Sequence, residues 1–327
     1  MIVLCEPQHP VGFQSGGYRY QAEVMAARLA ARDGERRVLA PEQLAATVAE
    51  LRQRPGTVVV VDGLFAQHRP LPAGAIALLH MVPALDSWSE VPCPVLATAA
   101  GTVAAPRVRA LATVTEVVEP GLDPCFRPAA HSPRRSEGRV RIVCIGTFGP
   151  GKGQAALWQA VASAAVPCEL VLLGAGTEPF APASRGPGFA TLRGRGVVAP
   201  SEVAAELQAA DLCVSWSRSE SFGMAVAEAV ACGTPVLAFA TGAIPTLVHH
   251  GANGWLLPSD ADDATMTRRL HTLLGDPELL RAARSLAVRP NLAPWPVVAE
   301  RFAAACARLA THVGPTRREP GAERRSG

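Results

Sequence analysis

The sequence predicts an α/β protein made of two consecutive doubly wound units, and three observations carry that prediction. Short, continuous apolar runs recur along the chain, stretches of helical period separate them, and a Pro- and Arg-rich interval at Pro124–Gly138 has no apolar period at all. Apolar strands that run continuously rather than alternating imply parallel sheets covered by helices on both faces. A chain of 327 residues, 49% of them hydrophobic, is long and apolar enough for two cores.

In order, Met1–Glu6 reads as the first strand, and a turn-rich loop through Gly12, Gly16 and Gly17 leads to a helix over Tyr18–Asp33. Arg37–Ala40 reads as a strand, Pro41–Arg54 as a helix with proline in its first turn, and Thr57–Asp62 as a β-branched strand. Ile76–His80, Pro94–Thr98 and Thr113–Glu119 are further strands. After the interval the alternation restarts: Arg139–Ile145 strand, Leu157–Ala165 helix, Glu169–Leu173 strand, Ser201–Ala209 helix, Leu212–Ser215 strand, Phe222–Cys232 helix and Pro235–Ala238 strand. Residues 1–127 form the first predicted domain, 128–138 a linker and 139–290 the second domain. Residues 291–312 carry a last helix packing back toward the first domain, and 313–327 a disordered charged tail.

Composition excludes several classes. The net charge of +3 is small, and no Lys/Arg-rich run interleaves with aromatics, so nucleic acid is not the expected partner. The eight cysteines stand singly, several inside apolar runs, which argues against zinc and disulfides and fits a reducing compartment. The N-terminus lacks the charged start of a signal peptide, and no apolar run reaches the roughly 20 residues of a membrane helix. A cytoplasmic protein with no integral membrane segment is the expectation. Lys152 is the single lysine of the chain.

That lysine sits in Gly146-Thr147-Phe148-Gly149-Pro150-Gly151-Lys152-Gly153, between a strand and a helix. Such a loop brings backbone amides and a helix N-terminus to an anion, and Lys152 adds a full charge, so a diphosphate is the natural guest. The string departs from a P-loop at Gly153, where Ser or Thr must hold magnesium. In the segment Glu220-Ser221-Phe222-Gly223-Met224-Ala225-Val226-Ala227-Glu228, Ser219 or Ser221 can cap a helix starting near Phe222. Glu228 then lies inside that helix, in an apolar run. It is either a solvent-facing residue or a buried carboxylate that needs donors such as the hydroxyls of a vicinal diol.

These motifs together resemble the donor domain of the family-4-type retaining glycosyltransferases. The resemblance runs through the Gly146–Gly153 loop, Gly174-Ala175-Gly176, Gly196-Val197-Val198, Ala210-Asp211, the signature from Glu220 to Ala229, Ala231-Cys232-Gly233-Thr234-Pro235-Val236, and Gly251-Ala252-Asn253-Gly254 with Leu256. It implies a GT-B fold, two Rossmann-like doubly wound domains facing across a cleft. It also implies transfer of a sugar from a nucleoside-diphosphate sugar to an acceptor hydroxyl with retention, without cofactor or metal. Lys152 and the amides of Gly223, Met224 and Ala225 would hold the diphosphate, beside Thr147 and Phe222. Glu228 would bind the ribose, Glu220 the transferred sugar, and Val198 would lie along the base. In the first domain, Gly16 and Gly17 match the family's glycine pair near the phosphate, and His80 its sugar-facing histidine. The catalytic set so implied is His80, Lys152 and Glu220.

Two positions depart from the pattern. Thr147 replaces the usual arginine of the phosphate loop, with Arg19 or Arg218 as candidate substitutes, and Thr246 replaces a usual glutamate. Two other readings stay open: a non-catalytic module that binds nucleotide sugar, and a nucleotide-sugar epimerase, which would form product without acceptor. The donor base, the sugar and the acceptor, small molecule or glycan, are not specified by these residues.

Overall fold

The computed structural model describes residues 1–8, 16–67, 71–81, 92–129, 138–178, 190–286 and 290–313. Gly12, most of the predicted linker and the charged tail from Gly314 lie outside the described residues. The chain divides into two compact units. One comprises Met1–Gln8, Met25–Val118 and the chain from Ala299, the other His9–Val24 and Glu119–Val298.

The first unit holds a parallel sheet with the order β2-β1-β3-β4-β5-β6. Its strands are β1 (Ile2–Pro7), β2 (Gly34–Leu39), β3 (Val58–Asp62), β4 (Ile76–Leu79), β5 (Cys93–Ala97) and β6 (Ala112–Val117). Helix α1 (Gly16–Ala30) joins the first two strands, and α2 (Leu44–Leu51), α3 (Ala100–Ala104) and α4 (Pro106–Leu111) complete the crossovers. Val3, Cys5, Val59, Val61, Ala77, Leu79 and Val95 turn one face of the sheet into a core with Leu44, Val48 and Leu51 of α2. The helix expected over Pro41–Arg54 is split. Pro41–Gln43 forms a 3-10 turn, with Gln43 Oε1 accepting from the Ala40 amide, and the α-helix proper begins at Leu44. The two short helices α3 and α4 escaped the sequence reading, because segments of five and six residues are too brief to show a helical period.

The second unit holds a parallel sheet with the order β12-β11-β10-β7-β8-β9. It is built from β7 (Val140–Ile145), α5 (Gln154–Ala162), β8 (Cys168–Leu173), β9 (Thr191–Gly194), α6 (Pro200–Ala209) and β10 (Leu212–Ser215). It continues with α7 (Met224–Ala231), β11 (Val236–Phe239), α8 (Ile244–Leu247), β12 (Gly254–Leu257), α9 (Asp263–Leu274) and α10 (Pro277–Ser285). The last helix, α11 (Trp295–Ala310), begins in this unit and continues from Ala299 in the first. Every paired strand is parallel, so the loops that follow β7, β8, β10 and β11 leave from one edge of the sheet. Order reverses beside β7, the first strand of this unit, whose neighbours are β8 and β10. In open parallel sheets that switch point is where ligands bind.

One ion network buttresses this sheet. Glu206 of α6, 6% exposed, accepts from Arg141 of β7, Arg193 of β9 and Arg195. Burial alone would raise its pKa, but the Arg195 and Arg141 contacts hold it below the ordinary carboxylate value. Removing this buried carboxylate takes the shared partner from three arginines, which keep only their more exposed contacts to Glu169 and Glu202. Glu206→Ala is expected to cost about 2 kcal/mol, between the surface and buried limits for ion pairs. A depressed carboxyl stabilises above its unfolded pKa and loses that contribution as pH falls through the folded value. The deficit in melting temperature against wild type should therefore narrow below pH 4.5, and equal melting at pH 7 would contradict the assignment.

Candidate functional site

The loop after β7 turns sharply at its end. Pro150–Lys152 form a 3-10 turn, and Gly153 follows with φ 66° to start α5. Gly153 has no room for a side chain: a Cβ there would stand 2.7 Å from Trp216 Cδ1 and 2.9 Å from the Trp216 carbonyl oxygen. A magnesium-binding hydroxyl cannot occupy this position, so the P-loop alternative fails on steric grounds. Gln154, 2% exposed, ties the loop from below. Its amide nitrogen donates to the carbonyls of Thr147 at 3.1 Å and Gly146 at 3.3 Å, and its Oε1 accepts from the Gly149 amide. Sequence reasoning missed Gln154, since a polar residue at a helix start normally reads as solvent-facing.

The segment leaving β10 lies against this loop. Ser217 Oγ donates to the Gly151 carbonyl, and Trp216 Nε1 donates to Asp263 Oδ1 at 2.9 Å. Lys152 Nζ pairs with Glu220, whose side chain is 17% exposed. Glu220 is held from behind by Gly242 (φ 56°). A Cβ on Gly242 would sit 2.0 Å from the Glu220 carbonyl oxygen, and the Ala243 amide donates to Ser221. The cation of one loop and the carboxylate of the next are thus set together by backbone contact.

Helix α7 begins at Met224, two residues later than expected, and its N-cap is Gly223 in the left-handed conformation (φ 85°). The turn at Gly223 separates both Ser219 and Ser221 from the first helical amides, and no side chain caps them. The partial positive charge of that terminus is left for another acceptor. Met224 and Ala225 are half-buried, and Phe222 is buried at 3% exposure. One turn into α7, Glu228 is 4% exposed, which removes the solvent-facing reading. Arg19 of α1 donates to it at 2.5 Å, an ion pair the sequence gave no means to see because 209 residues separate the partners.

Residues 139–276 match the family described as glycosyl transferases group 1. Residues 139–276 are a glycosyltransferase domain of that family. The D-inositol 3-phosphate glycosyltransferase of Jonesia denitrificans is 34% identical over 199 residues, covering 53% of this chain and 46% of that protein. The match covers between 16% and 46% of the length of such curated relatives. Among solved structures, sucrose-phosphate synthase from Thermosynechococcus elongatus aligns over 95% of this chain and all of its own, with a TM-score of 0.68 at 18% identity. HepE of Anabaena, solved with UDP-glucose, aligns over 94% of this chain and 99% of its own, with a TM-score of 0.61 at 16% identity. These likenesses give the fold, the two-unit α/β GT-B fold.

The structure brings together Lys152 and Glu220 of this glycosyltransferase domain, and it places Gly16 beside Met224, where a Cβ on Gly16 would meet Met224 Cγ at 3.2 Å. Gly17 follows in the first turn of α1. Thr147 is half-buried and contributes its carbonyl to Gln154. Val198 is half-buried at the entry to α6, after the Gly196 carbonyl accepts from Gly174. His80 belongs to the first unit, at the exit of β4, where burial pushes its pKa below the ordinary value against the pull of Asp62. Arg218 is committed elsewhere, to Asp263 and the Ala261 carbonyl over the Phe239 ring. Thr246 Oγ1 donates within its own turn, to the Ala243 carbonyl. Among the described residues no group of His, Cys, Asp and Glu side chains gathers as a metal cluster, and no helix is long and apolar enough to cross a membrane.

Burial pushes the Glu228 carboxyl up to about 7, with Arg19 opposing and Asp123 adding to the rise. A carboxyl raised in the folded state binds a proton that the unfolded chain has lost, so stability falls as pH rises from 4.5 toward about 7. Glu228→Gln should flatten that part of the stability profile, measured by thermal melting in steps across it. An unchanged slope would contradict the burial argument.

Proposed function

We propose that the protein is a retaining hexosyltransferase that moves a sugar from a nucleoside-diphosphate sugar to an acceptor hydroxyl. The observation that carries this reading is the Lys152–Glu220 pair, set beside the uncapped N-terminus of α7 in the matched domain. A diphosphate offers Lys152 a doubly charged partner, and the amides of Gly223, Met224 and Ala225 are oriented donors for the same oxygens. Once Lys152 turns to phosphate, Glu220 is free to accept hydroxyls of the transferred sugar. Glu228, with a carboxylate buried one turn deeper, suits the ribose diol. Val198 supplies apolar surface near the nucleoside, and Thr147, Phe222, Gly16 and Gly17 belong to the phosphate side. Among neighbours of this fold, HepE holds UDP-glucose in its crystal structure.

In the transfer step the anomeric C–O bond to the β-phosphate breaks, and the acceptor oxygen bonds the same carbon on the same face. The acceptor proton passes to the departing phosphate oxygen. Charge grows on that phosphate, where Lys152 and the α7 dipole act without a metal. His80 enters as a sugar contact through the family resemblance alone. The free cysteines, all but one of them buried, fit a reducing compartment such as the cytoplasm.

A thermal-shift panel of UDP-, GDP- and ADP-sugars identifies the donor. With that donor, Lys152→Ala and Glu228→Ala are each expected to cut transfer by at least ~100-fold, the scale of one lost transition-state electrostatic contact. Near-normal turnover in both variants would overturn the reading. Product formed without acceptor would favour an epimerase, and donor binding without transfer to any acceptor pool a non-catalytic module.

A further inference from the structure

Thr147 leaves the phosphate loop without the arginine that the family resemblance leads one to expect, and a guanidinium stands close by on another element. The first turns of α1 and α7 run side by side: Gly16 packs on Met224, and one turn further along each helix Arg19 reaches Glu228. The guanidinium of Arg19 lies over the Phe126 ring, 5.7 Å from its centre. Nη1 donates to Glu228 Oε1, whereas Nη2 is buried with no hydrogen-bond partner among the described residues.

A buried, idle arm on a forked cation is unfavourable unless something occupies it during function. Glu228 lies one turn into α7, whose first amides carry no side-chain cap. We propose that Arg19 is a shared counterion, holding Glu228 in the empty protein and turning to the donor diphosphate when the ribose takes over Glu228. It thereby supplies the guanidinium missing at residue 147. The proposal rests on the donor-site reading above. Its chemistry is an exchange of hydrogen-bond partners: two ribose hydroxyls replace Nη1 on the Glu228 carboxylate, and the fork gains two phosphate oxygens of the kind it fits bidentately. Arg218 is already engaged, by Asp263 and the Ala261 carbonyl, over the Phe239 ring.

The test compares UDP, GDP and ADP with uridine, guanosine and adenosine by calorimetry on the full chain. The readout is how much tighter the diphosphate binds than its own nucleoside. Arg19→Ala should shrink that advantage by ~10-fold or more, the worth of a charge-assisted contact, while nucleoside affinity holds or improves. Arg19→Gln, which keeps a donor for Glu228 without the charge, should behave alike and guards against misfolding of the alanine variant. Adding Thr147→Arg to Arg19→Ala should restore the advantage. An unchanged advantage, an equal loss for nucleoside and diphosphate, or a double variant that stays at the level of Arg19→Ala would each overturn the proposal. Failure of all three diphosphates to bind wild type would instead overturn the donor-site reading and the proposal with it.

Discussion

Backbone packs directly on backbone along the carboxyl edge of the second sheet, and the candidate site depends on that contact. Gly153 lies against Trp216 and Gly242 against Glu220, each with space for no more than a hydrogen in place of a side chain. These approaches close the loop after β7 onto the segment after β10, and that segment onto the turn after β11. Lys152 and Glu220 meet because their loops are pinned, not because two long side chains search for one another. An exposed ion pair holds little by itself. One placed by rigid backbone on both sides has its partners in position before a ligand arrives, which is the condition for useful electrostatics.

The charges of the site share a second property: each anion of the donor signature already has a cation. Glu220 has Lys152 and Glu228 has Arg19. On the proposed function, a nucleoside diphosphate would bring two phosphates to compete for those cations and hydroxyls to compete for those carboxylates. Binding would then exchange partners rather than expose or bury bare charge, avoiding the desolvation cost of an unpaired buried Glu228. The uncapped start of α7 adds dipolar charge at the same place.

Much of this was legible in the sequence. The parallel α/β alternation followed from continuous apolar strands, and Leu212–Ser215 is a strand at the bounds read from the sequence. Lys152 and Glu220 stood out through motif and rarity. What escaped has physical causes. The strand Thr191–Gly194 has a single buried residue, Leu192, and so shows no apolar run. The start of α7 was misplaced because serine chemistry argued for a cap at 219 or 221, while a left-handed glycine does the turning. The Arg19–Glu228 pair and the Gln154 ties are long-range or directional contacts, and no local period encodes them.

Amide hydrogen exchange reads the central claim directly, that the loop at Gly146–Gly153 and the first turn of α7 form one nucleotide-sugar site. Exchange would be followed with and without saturating UDP-, GDP- and ADP-glucose. The account predicts that one of them slows exchange at Gly223, Met224 and Ala225 together with the Gly149–Gly153 turn, and that Lys152→Ala abolishes both effects at once. Protection confined to other segments, or none with any of the three, would contradict it.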